Sequence, residues 1–158
     1  MYKRQGVNGK EFKLTKLRTM KHKAEITGPV WATKHDKRIT KIGAFLRRTR
    51  IDELPQLISV FLGDMSLIGP RPERPEIEIT LKENIPHYDL RNLIKPGLSG
   101  WAQVNYPYGA SIKDSEIKLS YELFYIRNQS FLLDILIFFK TIKLIINMKG
   151  AVPKNYDN

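Results

Sequence analysis

Hydrophobic residues recur at helical spacing in two well-separated segments of the chain. Between Lys37 and Arg48 every third or fourth residue is apolar and lysines and arginines occupy many other positions, which predicts a basic amphipathic helix. From Ser130 to Ile146, at 100° per residue, the hydrophobic side chains cover an arc of about 140°. Two interpretations of this second helix are open: its arc rests on a membrane surface, or it is the central helix of the core. The arc consists of Phe131, Leu132, Ile135, Phe138, Phe139, Ile142, Ile145 and Ile146.

A third helix is predicted from about Asp52 to Leu62. Pro55 decides where it can start, because proline has no N–H and is tolerated only in the first turn of a helix. With Asp52 as the N-cap, Pro55 falls in that turn, whereas Thr49 as the cap would place it in the interior at a cost of ~3 kcal/mol. The sequence therefore predicts Asp52 and Glu53 at a helix N-terminus. The residues predicted to face the core are Leu54, Leu57, Ile58 and Phe61.

The rest of the pattern predicts strands at the beginning and stiff loops in the middle. The turn sequence G-V-N-G-K at Gly6 to Lys10 predicts a β-hairpin. A helix is expected at Glu76 to Asn84, between loops rich in proline and glycine. We therefore predict an α+β fold: a mainly helical compact domain with a small N-terminal β-hairpin or sheet and amphipathic helices at a membrane interface. The domain would span residues 1–150, with a tail at 151–158.

The charge distribution indicates an anionic partner. Residues 1–50 contain 15 Lys or Arg and three acids, a net charge of +12, whereas the rest of the 158-residue chain has a net charge of −1. Nucleic acid, an anionic lipid leaflet and a diphosphate such as a nucleotide sugar all fit this pattern.

The absence of cysteine excludes disulfides, thiolate metal sites and a cysteine nucleophile. No run of about 20 uncharged apolar residues occurs, so the chain as given is not expected to span a bilayer.

Asp52 and Glu53 are the first candidate for chemistry. They could simply cap a helix and interact with its dipole. Alternatively, one carboxylate could attack a phosphoryl group while its neighbour binds Mg²⁺ that bridges a diphosphate. A helix N-terminus accepts phosphate oxygens, and nearby Arg50 adds a guanidinium group that binds phosphate. The pair alone does not decide between these interpretations.

Two further blocks combine cations with rigid loops. The prolines on either side of Arg71 (G-P-R-P) would hold its guanidinium in place to bind a phosphate, although the block also suits a tight turn. The glycine-rich segment from Arg91 to Asn105 contains Lys95 and Gln103 and suits a nucleotide or a sugar. Its Trp101 could equally belong to the core. Together the three blocks favour a binding site for phosphates.

Five segments, in this order and spacing, resemble the bacterial sugar transferase family. These are the monotopic phosphoglycosyl transferases that start exopolysaccharide and O-antigen assembly. The resemblance extends from Gly6 to about Gly150, and a chance match of all five segments is not credible. The segments are Phe12 to Met20, Thr49 to Gln56, Gly63 to Pro72, Lys95 to Asn105 and Tyr125 to Asp134.

The resemblance implies transfer of a sugar 1-phosphate from a UDP-sugar to undecaprenyl phosphate, a polyprenyl phosphate, by a two-step covalent route. It places the protein at the cytoplasmic face of the bacterial inner membrane, on an anionic membrane surface, with no nucleic-acid partner. It also implies Asp52 as the nucleophile, Glu53 as the Mg²⁺ ligand and Gln103 near the nucleotide. The residues that would contact phosphates are Lys16, Arg18, Arg71 and Arg91.

The sequence departs from the family pattern at two places. Leu17 stands where the family usually has an aromatic residue. The family also has a membrane-embedded hairpin before its first motif, and Met1 to Gln5 leaves no room for one, so a trimmed chain is expected. Two alternatives to the transferase remain: a nucleic-acid-binding module, suggested by the basic half and Trp31, and a catalytically silent scaffold in a polysaccharide assembly complex.

Overall fold

A computed structural model describes residues 2–22, 24, 36–107, 109 and 111–148. The predicted hairpin is confirmed: β1 (Tyr2–Gln5) pairs antiparallel with β2 (Glu11–Leu14). A 3₁₀ turn at Val7–Gly9 joins the strands, and Asn8 and Gly9 take positive φ angles of 53° and 74°, as asparagine and glycine readily do. The predicted tail at 151–158 and Trp31 lie outside the described residues.

The predicted basic helix is present as α1 (Lys41–Arg48). Thr40 caps it, because its side-chain oxygen accepts a hydrogen bond from the backbone N–H of Gly43 at 2.9 Å. A Cβ at Gly43 would lie 2.0 Å from the carbonyl oxygen of Thr19. Only glycine therefore lets α1 pack this closely on the segment that follows β2.

The helix predicted from Asp52 to Leu62 consists of two different elements. A 3₁₀ segment at Ile51–Gln56 contains Pro55, and α2 (Leu57–Phe61) continues from it. Asp52 is the second residue of the 3₁₀ segment and does not cap it, so the predicted N-cap is wrong. The proline is accommodated because this part of the chain is a 3₁₀ turn, which does not depend on the i to i−4 hydrogen bonds that proline disrupts.

The predicted orientation of this segment is also wrong. Its apolar side faces outward and its polar side is buried. The exposed residues are Leu54, Leu57, Ile58 and Phe61, and the buried ones are Asp52, Glu53, Gln56 and Ser59.

Two short strands that had not been predicted join the proline- and glycine-rich loops. Strand β3 (Ser66–Ile68) pairs in parallel with β4 (Gly97–Ser99), and the N–H of Gly69 extends the pairing by donating to the carbonyl of Ser99 at 2.9 Å. A Cβ on Gly97 would lie 2.1 Å from the nitrogen of Gly69. The two loops thus form one rigid unit.

Four further helices lie in the described part of the chain, and the fold is α+β and mainly helical, as predicted. Helix α3 (Pro75–Asn84) confirms the helix expected at 76–84. It is followed by α4 (Trp101–Asn105), α5 (Ile112–Arg127) and α6 (Phe131–Ile146). A core cluster forms where α3, a 3₁₀ segment at Tyr88–Leu93 and α5 meet. Its buried members are Leu81, Ile85, Tyr88 and Leu119.

Helix α6 is not the central helix of the core. Ile137 is fully buried on one side, while all eight residues of the apolar arc are at least 36% exposed. The second of the two interpretations of this helix is therefore wrong, and the arc faces outward. Within the described residues, no helix has both the length and the apolar character needed to cross a membrane.

Candidate active site

A cleft of about 520 Å³ brings the three sequence blocks together. It opens between the segment after β2, the 3₁₀ segment at Ile51–Gln56, the loop after β3, α4 and α5. Lys95 is the one predicted site residue outside it, exposed at the surface next to Gly63. The predicted residues that line the cleft are Lys16, Arg18, Arg50, Asp52, Glu53, Arg71, Arg91 and Gln103.

The backbone turns sharply just before the acidic pair. Arg50 has a φ of 59°, a left-handed conformation that non-glycine residues rarely adopt. The N–H of Leu17 donates to the carbonyl of Asp52 at 3.0 Å, which ties the segment after β2 to this turn. As a result both acids point inward, with Asp52 7% and Glu53 8% exposed. Backbone strain of this kind costs on the order of 1–3 kcal/mol and clusters at functional sites.

Three cations surround the carboxylate of Glu53. Lys16 Nζ lies 2.8 Å from Oε1, Arg71 Nη2 donates to the same oxygen, and Arg50 Nη1 lies 3.7 Å from Oε2. Burial alone would raise the pKa of Glu53, but the charges of Arg71, Lys16 and Arg50 hold it well below the ordinary value of 4.5. Glu53 is therefore an ionised anchor that gathers basic side chains in the cleft.

Asp52 lies in a different environment from its neighbour. Burial raises the pKa of Asp52 above its ordinary value of 3.8, and the negative charge of Glu53 raises it further. Its Oδ1 is buried and accepts no hydrogen bond from any residue that the structure describes. The two carboxylates thus have pKa values pushed in opposite directions, a pattern that separates their chemical roles. Of the two carboxylates, that of Asp52 is therefore the more basic and has fewer charged partners.

Arg91 lies in the wall behind Arg71. It is 3% exposed, and its Nε and Nη2 each donate to one carboxylate oxygen of Glu122 at 2.8 Å. Its Nη1 donates to the hydroxyl of Tyr88 at 2.8 Å, and Nη2 also donates to the backbone carbonyl of Arg71 at 2.6 Å. A two-pronged contact of this kind fixes the guanidinium plane. Arg91 and Glu122 therefore position the backbone of Arg71, whose side chain reaches Glu53.

Comparison with known proteins places the chain in a family. The profile described as "Bacterial sugar transferase" matches residues 1–148. The protein belongs to the bacterial sugar transferase family. This membership does not favour the nucleic-acid-binding alternative.

Relatives, two of them with named activities, match most of this chain. A UDP-N-acetylgalactosamine-undecaprenyl-phosphate N-acetylgalactosaminephosphotransferase from Aeromonas hydrophila is 44% identical over 148 residues, which are 94% of this chain and 35% of the relative. A UDP-glucose:undecaprenyl-phosphate glucose-1-phosphate transferase from Xanthomonas campestris is 41% identical, covering 94% and 31%. An uncharacterized sugar transferase from Bacillus subtilis is 36% identical, covering 97% and 72%. The chain spans about a third of the length of the first two relatives.

The acidic pair of this bacterial sugar transferase has a donor set that fits Mg²⁺. Asp52 Oδ1 and the Glu53 carboxylate are adjacent hard oxygen donors at the cleft. The described part of the chain contains no group of three or more acids or histidines that could hold a metal. Mg²⁺ is often bound by only one or two carboxylates together with substrate phosphates and water. Asp52 Oδ1 is an open donor for such a site, whereas Glu53 would bind the ion once the substrate phosphates take Lys16 and Arg71 from it.

Several residues of the cleft and its wall were not predicted, among them Gln56, Lys118 and Glu122. The sequence spacing could have identified Gln56 as a site residue. It follows Glu53 by three positions, and residues three apart lie on the same side of a 3₁₀ helix. Lys118 on α5 lines the cleft, with its Nζ donating to the carbonyl of Gly109 at 2.7 Å. Nothing in the local sequence could have identified Glu122, because its partner Arg91 is 31 residues away in sequence.

Glu53 should make stability depend on pH in the acid range. Its folded pKa lies below the unfolded value of 4.5, so its ionised form stabilises the fold above about pH 4.5 and this contribution is lost as the pH falls through the folded pKa. We expect Glu53→Gln to be less stable than the wild type at neutral pH, and this difference to shrink in acid. Urea unfolding at several pH values from neutral to about pH 3 measures this difference in stability. The control is Glu116→Gln, at an exposed glutamate. A difference that stays constant across this range would contradict the assignment.

Proposed function

We propose that this protein transfers a sugar 1-phosphate from a UDP-sugar to undecaprenyl phosphate through a covalent aspartyl intermediate, a step that initiates exopolysaccharide, capsule or O-antigen biosynthesis. One observation carries the proposal: Asp52 is a buried carboxylate with a raised pKa beside an ionised Glu53 that gathers Lys16, Arg50 and Arg71 in one cleft. The names of the relatives, which include UDP-sugars and undecaprenyl phosphate, support this substrate class.

The chemistry takes two steps. First, a carboxylate oxygen of Asp52 attacks the β-phosphorus of the UDP-sugar, the bond from that phosphorus to the bridging oxygen breaks, and UMP leaves. The product is an aspartyl phosphate that carries the sugar. A phosphate oxygen of undecaprenyl phosphate then attacks the same phosphorus, and the carboxylate of Asp52 is released. Lys16 and Arg71, which lie together on Glu53, stabilise the charge on the phosphoryl oxygens in both steps.

The rest of the cleft serves to hold the donor. Glu53, with the diphosphate of the donor, would bind Mg²⁺, which when bound neutralises phosphate charge. Arg18 and Gln103 line the cleft and would contact the phosphates and the nucleotide. Lys95, exposed outside the cleft, is assigned no contact with the donor.

We also propose that the domain rests on the anionic leaflet at the cytoplasmic face of the inner membrane. Helices α2 and α6 both pack against β3 and both leave their apolar side chains exposed. Residues 1–50 add a net charge of +12. Amphipathic helices with basic surroundings bury their apolar side roughly 5–10 Å into the headgroup boundary. The acceptor lipid would then meet the cleft at the membrane surface.

A donor screen tests the reaction. The protein is incubated with Mg²⁺ and different UDP-sugars, with and without vesicles that contain undecaprenyl phosphate, and UMP release is followed. Without acceptor we expect at most one UMP per protein and a mass increase of one sugar phosphate on Asp52; with acceptor we expect turnover. UMP release without any adduct would overturn the covalent route. No release with any donor would favour the silent scaffold.

Phe61 tests the membrane proposal, because its side chain is 91% exposed at the end of α2. Burying a phenylalanine in an apolar environment contributes about 1.5–3 kcal/mol, so Phe61→Ser should weaken binding to phosphatidylglycerol-rich vesicles about tenfold or more. Vesicle flotation measures this. The control is Ile79→Ser on α3, an exposed isoleucine on a helix that packs on α5. Equal binding by the wild type and Phe61→Ser, or equal loss in both variants, would count against the proposed membrane face.

A further inference from the structure

Gln56 is a buried polar residue at the end of the Thr49 to Gln56 segment, and the proposed reaction assigns it no role. It is 2% exposed and lines the cleft with Asp52 and Glu53. Its amide Nε2 is fully buried and donates no hydrogen bond to any residue within the described ranges. Nearly all buried side-chain nitrogens in proteins have a partner, because an unpaired one costs stability. A residue of this kind calls for a role in something other than folding.

The position of Gln56 relates it directly to the acidic pair. It lies one 3₁₀ turn after Glu53, on the same side of the segment, and in the same continuous 3₁₀ segment as Asp52. Asp52 Oδ1 and Gln56 Nε2 are thus two buried atoms of one short segment, an acceptor and a donor, and neither is paired with the described part of the protein. The two residues that carry these atoms line the same cleft.

The chemistry of the Gln56 amide indicates which kind of group it can bind during the reaction. An amide N–H₂ group only donates, so its partner is an acceptor, and the basic side chains of the cleft select an anionic one. The phosphorus that Asp52 attacks carries oxygens of this type, and charge on them must be stabilised as the new bond forms. We propose that Gln56 is a further substrate-contacting residue: its buried amide turns toward the cleft when the donor binds, and Nε2 donates a hydrogen bond to an oxygen of the phosphoryl group transferred to Asp52. This inference rests on the proposed function.

The variant Gln56→Met tests the inference, because methionine has a similar length and no donor. Removing an unpaired buried amide should leave the thermal midpoint of the free protein unchanged or raised. Losing one hydrogen bond to a charged oxygen should lower kcat/KM for UMP release roughly 10- to 100-fold. The control is Gln129→Met, an exposed glutamine outside the cleft that should change neither quantity. Unchanged kcat/KM would overturn the proposal, and so would a fall matched by a lowered midpoint, which would indicate a folding role.

A binding experiment separates this inference from the proposed reaction. Inorganic pyrophosphate, as a mimic of the donor diphosphate, is titrated calorimetrically into the wild type and Gln56→Met. We expect its affinity to fall about tenfold in the variant, even if the wild type releases no UMP from any donor. Absence of UMP release would then count against the proposed function alone. Equal affinity of the two proteins, or no binding to the wild type, would overturn the role of Gln56.

Discussion

Asp52→Asn is expected to abolish sugar-phosphate transfer without weakening the fold. An amide nitrogen cannot replace the attacking carboxylate, and loss of a nucleophile in a covalent mechanism costs on the order of 10³-fold or more in kcat. The raised pKa of Asp52 means that its charged form is less favourable in the folded protein than in the unfolded chain, so above the folded pKa it opposes folding. Removing the charge should therefore leave the free energy of unfolding equal or higher at neutral pH.

Two measurements on the same sample check this result. UMP release and the mass of the protein report the chemistry, and urea unfolding reports stability. Asp89→Asn, at an exposed aspartate next to the buried Tyr88, controls for the substitution itself and should resemble the wild type in both. An Asp52→Asn variant with full turnover would refute the nucleophile. A variant that unfolds much more easily would show that Asp52 stabilises the fold, contrary to its pKa.

The opposite effects expected at Asp52 and Glu53 follow from their neighbours. Glu53 contacts three basic side chains, and removing its charge leaves them facing one another. Asp52, one residue earlier, has a buried oxygen that is unpaired within the described chain. This difference supports the proposed division of roles, in which Glu53 serves binding and Asp52 serves chemistry.

The sequence predicted which elements form better than it predicted how they face. Periodicity located α1 and α6, because it reports a repeating apolar side, whereas turn residues located the hairpin and the flanking proline- and glycine-rich loops bounded α3. It predicted the wrong orientation for the segment Ile51–Gln56 and α2, because an apolar side can face a membrane or solvent as well as a core. Here the side with the acids is buried, since Lys16, Arg50 and Arg71 arrive from other parts of the chain to balance Glu53.

Contacts between distant segments could not be predicted from local pattern. The parallel pairing of β3 and β4 involves strands of three residues each, too short for an alternating signal. Helix α5 was missed because polar residues such as Asp114 and Glu122 are among its buried positions, which obscures the apolar stripe. The cleft is lined by all the predicted site residues except Lys95. Arg91 lies in its wall, where Glu122 holds the guanidinium.

Glu122→Gln should have the largest effect on stability. Arg91 stays charged under all ordinary conditions, and both residues are almost fully buried, so the substitution leaves a guanidinium without its counter-charge in the interior. Breaking a buried pair in this way costs about 3–5 kcal/mol of the free energy of unfolding. Because Arg91 also donates to the carbonyl of Arg71, the folded fraction should also lose part of its affinity for phosphate.

The exposed pair between Lys3 and Glu11 provides the comparison for this variant. Glu11→Gln removes a salt bridge of similar length, 2.9 Å, between largely solvated side chains, and its urea midpoint should stay close to that of the wild type. If Glu122→Gln unfolds at the same urea concentration as Glu11→Gln, the buried pair does not stabilise the wall of the cleft. If it unfolds early yet binds pyrophosphate as tightly as the wild type under native conditions, the pair supports the fold but does not position Arg71. We expect both losses together, because the same guanidinium makes both contacts.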